Sequence, residues 1–128
     1  MIVLDANVII AYLDGKDVHH QRAEELLARE IDDDFGANSL TLAEVFAVPA
    51  RENRLDAVRT ILRDLEVQEL PFPDNTAVQL AQLRAETGLK MPDCCVLLAA
   101  EATGARLASF DAQLTKAAVT RQLDAISH

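Results

Sequence analysis

Four acidic residues interrupt or adjoin apolar segments at widely spaced points of the 128-residue sequence. They are Asp5, Glu44, Asp93 and Asp111. A carboxylate beside strongly apolar neighbours is costly to desolvate, and four such groups brought close together would repel one another. Some of them would take up protons unless cations joined them. Oxygen ligands without cysteine or histidine favour a hard ion, Mg²⁺ or Mn²⁺, which polarises a phosphate and activates water for in-line attack.

Each of these carboxylates also has a simpler structural explanation when it is taken alone. Asp5 could form an Asx-turn where a strand ends, and Glu44 could belong to a helix capping box. Asp93 could complement a helix dipole, and Asp111 could cap a short helix. The argument for a shared site is therefore the position predicted for all four together, at one edge of a sheet.

That edge follows from the alternation of strands and helices along the chain. The predicted strands are MIVLD, a short segment at 37–39, EVQELPF, RLASFD and LDAIS. The predicted helices include HHQRAEELLARE, RLDAVRTILRDL, DNTAVQLAQLRAETG and MPDCCVLLAAEATGA. In the last of these, residues 94–100 leave no polar side, so it should be buried. This order predicts an α/β fold, a three-layer α/β/α sandwich with a mostly parallel central sheet of four or five short strands, in one domain spanning 1–128.

Capping and breaking residues predict where several helices begin and end. The helix after the second strand is predicted to end before Pro49, and Thr41 followed by Glu44 has the spacing of a capping box. Gly88 and Gly104 are predicted to end the helices that precede them. In folds of this class ligands bind outside the C-terminal ends of the strands, beside helix N-termini, and the four acids map to that edge.

The only two cysteines, Cys94 and Cys95, are neighbours in the predicted buried helix. Adjacent side chains on a helix point about 100° apart, which suits neither a disulfide nor the chelation of one metal. No second cluster of cysteine and histidine completes a zinc site. Both are predicted to be apolar helix filler.

Composition limits the class of protein and its partners. Half of the residues are hydrophobic, which predicts a globular chain with a real core. The net charge is −9, from 12 basic and 21 acidic residues, so bulk attraction alone should not bind nucleic acid. No apolar window reaches the length of a membrane span and the N-terminus has no basic start, which predicts a cytoplasmic protein without membrane association.

Four segments in order, VLDANVIIAYL, SLTLAEVF, MPDCCVLLAA and LASFDAQL, resemble the motifs of PIN-domain ribonucleases, especially the VapC-type toxins of bacterial toxin–antitoxin pairs. The resemblance covers the whole chain in length and motif order. It implies Mg²⁺- or Mn²⁺-dependent endonucleolytic cleavage of RNA, with the four acids as the metal-binding cluster. It also implies that Asn7 supports the site, that a cognate antitoxin occludes the groove, and that the protein is a homodimer.

Basic residues near the predicted edge are candidate RNA contacts. Lys90 precedes the buried helix, and Arg51 and Arg54 lie on the middle helices, where they could form a local RNA track. The same arginines could equally pair with acids along the helix faces.

Two other functions are compatible with parts of the pattern. A PIN-like protein that only binds RNA or a partner would keep the fold without catalysis, although the presence of all four acids favours the nuclease. A phosphatase of the haloacid-dehalogenase type would use Asp5 as its nucleophile, but it needs a second acid two positions later, where this chain has Asn7.

Overall fold

A computed structural model describes all residues, Met1–His128, and places the first strand at the centre of a parallel sheet. The strands are β1 (Ile2–Leu4), β2 (Phe35–Asn38), β3 (Val67–Leu70), β4 (Arg106–Ala108) and β5 (Ala125–Ile126). Their order in the sheet is β3-β2-β1-β4-β5, and every neighbouring pair is parallel. The predicted α/β fold with a parallel sheet is confirmed.

Seven helices connect the strands and cover both faces of the sheet. They are α1 (Ala6–Leu13), α2 (His20–Arg29), α3 (Ser39–Arg51), α4 (Leu55–Asp64), α5 (Thr76–Thr87), α6 (Met91–Thr103) and α7 (Ala112–Thr120). None of them is both long enough and apolar enough to cross a bilayer. The first helix, α1, was not among the predicted ones, because its residues are apolar on nearly every side and carry no helical stripe.

Alternate side chains of β1 enter two separate hydrophobic cores. Ile2 and Leu4 pack with residues of α1 to α4 on one face, and Val3 packs with residues of α5 to α7 on the other. Because both faces are covered, the strand is apolar at every position. Full burial of each such side chain stabilises the fold by about 1.5–3 kcal/mol.

The buried helix predicted around the two cysteines is confirmed as α6. Seven consecutive residues, from Cys94 to Ala100, are buried. Both cysteines are free thiols, and burial raises the pKa of each above its ordinary value. Their role as apolar filler agrees with this environment.

The helix α3 differs from the prediction at both ends. Its N-cap is Asn38, whose side-chain oxygen accepts a 2.8 Å hydrogen bond from the Thr41 amide, so the predicted capping box between Thr41 and Glu44 is wrong. The helix also continues through Pro49 to Arg51, so the predicted end before Pro49 is wrong. Near a helix end the missing amide of a proline costs one hydrogen bond, and Pro49 is buried.

Other boundaries shift by a few residues. β2 covers Phe35–Asn38 rather than 37–39, and β4 ends at Ala108, so the strand predicted to reach Asp111 is too long. Gly88 and Gly104 end α5 and α6 with φ of 70° and 64°, as predicted from their freedom to adopt positive φ.

Successive strands of the chain are added first to one side of β1 and then to the other. From β1 the chain adds β2 and then β3 on one side, and it later crosses back to place β4 on the other side. The crevice between the C-terminal ends of β1 and β4 is therefore the topological switch point, where open α/β folds bind their ligands. Asp5 follows β1 directly, and Asp111 follows β4 after two residues.

Candidate functional site

Asp5 is a buried carboxylate at the switch point, where it forms the N-cap of α1. One oxygen accepts a 2.8 Å hydrogen bond from the Ala6 amide, and the other accepts a 2.7 Å bond from the Ser109 hydroxyl. Desolvation by burial raises the pKa of Asp5 despite these two bonds, and the charges of Asp111 and Glu44 raise it further. Asp5 is therefore a helix cap and also a carboxylate that is costly to ionise without a cation.

The Ser109 hydroxyl connects three of the polar groups at this edge. It is fully buried, donates to Asp5, and accepts from Asn7 Nδ2 at 3.3 Å and from the Asp111 amide at 3.0 Å. Its single donor and both acceptor positions are thus used. Asn7, predicted to support the site, reaches Asp5 through this hydroxyl, and its Oδ1 accepts a 3.2 Å bond from the Phe110 amide.

Sequence reasoning missed Ser109. The available signal was a small hydroxyl residue two positions before an acid at the exit of a buried strand. The hydrogen bonds that define its role join it to residues more than a hundred positions away.

Asp111 is the N-cap of α7, which is the structural role that the sequence offers as the alternative to metal binding. Its Oδ1 accepts hydrogen bonds from the amides of Gln113 at 2.9 Å and Leu114 at 3.4 Å. The second carboxylate oxygen makes no hydrogen bond, so capping leaves it available to a ligand.

Glu44 and Asp93 approach the switch point from two helices. Glu44 lies in the second turn of α3, and Asp93 lies in the first turn of α6, directly after Pro92. Burial and the charge of Asp93 raise the pKa of Glu44. Burial, followed by the charges of Asp5 and Asp111, raises the pKa of Asp93, whereas Lys90 opposes that rise.

The four predicted acids therefore lie within electrostatic range of one another, and we call them the acidic cluster. None of them takes part in an ion pair, although the chain forms eight elsewhere. No three potential metal-ligating side chains meet at coordinating distance. The donor set nevertheless fits a hard divalent ion, because it consists of carboxylate oxygens alone. Glu44 and Asp93 have no hydrogen-bond partner in the protein that would hinder their rotation toward such an ion.

The three predicted RNA contacts differ in their environments. Lys90 is exposed at the N-cap of α6, where its charge acts on Asp93. Arg54 forms an ion pair with Glu52, with 2.9 Å between Nη2 and Oε2. Arg51 lies in the last turn of α3 without an ion-pair partner. Of the three, Lys90 is the residue whose charge opposes the raised pKa of a member of the acidic cluster, Asp93.

An open groove of about 480 Å³ runs between α1 and α3 and includes Glu44 in its wall. We call it the α1–α3 groove. Its apolar lining consists of Ile10, Leu13, Val45, Val48 and Val58, together with the ring of Pro49. A ligand in this groove would contact the acidic cluster directly.

Comparison with known proteins adds a family and several similar folds. A family model described as the PIN domain matches residues 2–119. No curated protein sequence matches the chain.

Several solved structures share the fold across nearly the whole chain. A toxin–antitoxin complex from Klebsiella pneumoniae has a TM-score of 0.76 and 20% identity, covering 92% of this chain and 90% of that one. FitAcB from Neisseria gonorrhoeae has a TM-score of 0.74 and 22% identity, covering 98% and 96%. VapBC2 from Rickettsia felis, bound to a promoter DNA fragment, has a TM-score of 0.70 and 17% identity, covering 98% of both chains. At these identities the likeness is one of fold.

Proposed function

The chain belongs to the PIN-domain family, and from that premise we propose that it is an Mg²⁺- or Mn²⁺-dependent endoribonuclease, the toxin of a bacterial toxin–antitoxin pair. The observation that carries the proposal is the acidic cluster at the switch point. Burial and the charges of neighbouring members raise the pKa of Asp5, Glu44 and Asp93, and no basic side chain neutralises the cluster by direct pairing. Divalent cations would relieve this repulsion, and a phosphodiester would be bound through those cations.

Each acid has a role in this proposal. Asp5, Glu44 and Asp93 hold the principal ion, and Asp111 completes the site with its unused oxygen. A bound divalent ion supplies Lewis acidity toward a phosphodiester oxygen and toward the attacking water. Ser109 fixes the orientation of the Asp5 carboxylate, so that little rearrangement of this ligand is needed.

The reaction is hydrolysis of an RNA phosphodiester. The oxygen of water forms a bond to phosphorus while the bond from phosphorus to one ribose oxygen breaks, and that ribose oxygen takes up a proton. Lys90, which precedes Asp93 by three positions, positions a phosphate of the substrate, and Arg51 and Arg54 are further phosphate contacts. Since the chain carries a net charge of −9, binding should depend on these few contacts and should weaken with salt.

A cognate antitoxin is the proposed protein partner. One of the solved structures with the same fold is a toxin–antitoxin complex. The α1–α3 groove supports such a partner, because it offers contiguous apolar side chains beside Glu44. An antitoxin segment in this groove would cover Glu44 and block RNA.

We further propose that residues 1–128 form one domain and that the protein is a homodimer. A single cooperative unfolding transition is expected for the first, and a light-scattering mass of about twice 14.0 kDa for the second. Two unfolding transitions would contradict the single domain, and a mass of one chain would contradict the homodimer.

Cleavage of a labelled total-RNA pool tests the function. The purified protein is incubated with Mg²⁺, with Mn²⁺ and with a chelator, alongside Asp93→Asn and Asp64→Asn. Asp64→Asn is the matched control: it removes one exposed carboxylate at the end of α4, which precedes β3 and so lies at the opposite edge of the sheet.

The expected result is a set of discrete fragments that require metal, persist in Asp64→Asn and vanish in Asp93→Asn. Equal cleavage by wild type and Asp93→Asn would indicate a contaminating nuclease. No cleavage with either metal by a folded sample would favour a PIN-like protein that only binds RNA or a partner.

A further inference from the structure

An aromatic ring and two basic side chains form a compact group next to Asp111. The guanidinium carbon of Arg22 lies 4.6 Å from the centroid of the Phe110 ring. The His19 ring lies 5.1 Å from the same centroid, at 41° to its plane, and its Nδ1 is 3.1 Å from Arg22 Nη1. We call Phe110, Arg22 and His19 the Phe110 platform.

The platform is joined to the acidic cluster by the chain and by hydrogen bonds. Phe110 lies between Ser109 and Asp111 in sequence, and its amide donates to Asn7 Oδ1. Asn7 in turn donates to the Ser109 hydroxyl, which is bonded to Asp5. The ring is therefore held at a fixed position beside the groups proposed to bind the metal.

Arg22 differs from most other arginines with structured contacts in this chain, because its partner is not a carboxylate. Arg54, Arg106 and Arg121 are each neutralised by one or two acids. Arg22 instead contacts the Phe110 ring, the His19 ring and the backbone carbonyl of Ser127. In a chain with a net charge of −9, an ordered and unpaired guanidinium is available to an anionic ligand.

These contacts also fix the plane of the guanidinium. Phe110 covers one side, and the contacts with His19 and Ser127 hold the edge, whereas the residue as a whole is exposed to solvent. Single-stranded RNA is bound by stacking of its bases on aromatic rings and on arginine planes. A fixed and exposed guanidinium plane beside a nuclease site has the shape for such a contact.

We infer that the Phe110 platform is a nucleotide subsite, on which a base adjoining the scissile phosphate of single-stranded RNA stacks against Arg22. The inference rests on the proposed ribonuclease function. Arg22 and Phe110 act as positioning residues: they hold the strand in register with the acidic cluster and take no part in bond breaking. A phosphate contact through charge alone is the alternative that the experiment separates.

The test uses a short single-stranded RNA whose cleavage site has been mapped with the wild-type protein. 2-Aminopurine replaces the base on either side of that site in turn, and binding is followed by its fluorescence in the Asp93→Asn protein with Mg²⁺ present. Arg22→Lys keeps the positive charge but removes the planar guanidinium group. Phe110→Leu keeps an apolar side chain but removes the aromatic ring. Arg59→Lys is the matched control, at an exposed arginine of α4 without an ion pair.

At one of the two positions, we expect the fluorescence to be quenched on binding to the parent protein and to Arg59→Lys. Arg22→Lys and Phe110→Leu should lose that quenching and bind about 5- to 150-fold more weakly, the range for removing one base stack. With Asp93 intact, the same two substitutions should raise KM and leave kcat nearly unchanged. Thermal unfolding of each variant verifies that the fold is retained.

Parent-like quenching and affinity in Arg22→Lys would overturn the inference, because charge alone would then be sufficient. Arg22 is exposed, so this variant decides the matter even if Phe110→Leu is unstable. The outcomes are distinguishable from failure of the proposed function. If wild type cleaves RNA and the platform variants behave like it, only the subsite is wrong; if wild type does not cleave RNA, the function fails and the subsite with it.

Discussion

The hydroxyl of Ser109 donates a 2.7 Å hydrogen bond to Oδ2 of Asp5, although 104 positions separate the two residues in the sequence. The bond is buried and joins the segments that follow the adjacent strands β1 and β4. Since Ser109 also accepts from the Asp111 amide, one side chain fixes two members of the acidic cluster relative to each other. Partners of this kind set the orientation and basicity of metal ligands.

Ser109→Ala should therefore impair both the site and the fold. We expect metal affinity and cleavage rate to fall by about 10- to 100-fold. The free energy of unfolding should fall by about 1–3 kcal/mol, because Asp5 loses a buried donor. Mn²⁺ titration calorimetry, initial rates and urea unfolding measure these effects. Ser39→Ala is the control, since it also removes a hydroxyl that donates to a carboxylate, at an exposed site; equal losses in the two variants would contradict a specific role for Ser109.

Neutralising a member of the acidic cluster should stabilise the metal-free protein at neutral pH. Burial and like charges raise the folded-state pKa of Asp93. At pH values between the unfolded-state and folded-state pKa, Asp93 therefore keeps its proton in the folded protein and has lost it in the unfolded chain. Its ionisation therefore reduces stability as the pH rises from about 4, the usual pKa of aspartate, through the raised value.

Asp93→Asn should accordingly unfold at a higher temperature than wild type at pH 7 in chelator, and the difference should shrink as the pH approaches 3.5. Saturating Mg²⁺ should stabilise wild type more than the variant. Thermal scans at both pH values, with and without metal, measure this. A variant less stable than wild type at pH 7 in chelator would show that Asp93 serves the fold by complementing the dipole of α6.

The ion pairs around Arg106 should produce the opposite pH dependence. Hydrogen bonds from Arg106 lower the pKa of Glu30, and Arg106 also contacts Asp33 at 2.9 Å. Because the pKa of Glu30 is lower in the folded protein than in the unfolded chain, ionised Glu30 stabilises the fold at pH values above about 4, its usual pKa. That stabilisation is lost as the pH falls through the folded-state pKa. The pKa of Asp33 is strongly lowered, first by its hydrogen bond with the N-terminal ammonium group and then by Arg106, so the pair between Arg106 and Asp33 persists in acid. Arg106→Gln should thus be slightly less stable than wild type at pH 7, and the difference should be smaller at pH 2.5 without vanishing. Urea unfolding at the two pH values tests this, and a difference of the same size at both would contradict it.

The α1–α3 groove can be tested without changing its charge. Val48, with 43% of its surface exposed, lines the groove, and Val48→Gln should weaken antitoxin binding by about tenfold because an apolar contact is lost. RNA cleavage by the protein alone should be unchanged. Val78→Gln, at a valine 50% exposed on α5, is the matched control. The groove is the wrong surface if calorimetry gives Val48→Gln and Val78→Gln the same antitoxin affinity.

The two cysteines should be chemically silent in the folded protein. Burial raises the pKa of both thiols, so little reactive thiolate exists near pH 7.5. Alkylation followed by mass spectrometry should label neither without denaturant and both in guanidinium. Cys95→Ala should retain metal-dependent cleavage. Loss of cleavage by a folded Cys95→Ala would assign this cysteine a role beyond packing.

The parts of the fold that a local pattern determines could be predicted from the sequence. A strand buried on both faces is apolar throughout, and α6 is apolar on all sides from Cys94 to Ala100, so both were recognisable in isolation. The helix α1 was missed because it follows β1 after the single residue Asp5, and both elements are apolar. Composition alone does not mark where such a strand becomes a helix.

The residues of the candidate site likewise include some that a local pattern identifies and some that it does not. The four acids could be identified because each is a charged residue in or beside an apolar setting, which is visible locally. Ser109 and the contact between Arg22 and Phe110 could not, because each depends on packing between distant segments. The end of α3 was misplaced because Pro49 stands only two residues before the end of the helix, where its missing amide costs a single hydrogen bond.

The central place of β1 has a consequence for the synthesis of the chain. Ile2 is translated 104 positions before Arg106, with which it pairs. At about 5–20 residues per second, roughly 5 to 20 seconds separate the translation of the two strands. Throughout that interval one edge of β1 has no partner strand, and half of the switch point does not exist. The nascent chain therefore has no complete acidic cluster until β4 and Asp111 have emerged and docked, which is the slow, long-range step expected of such a topology.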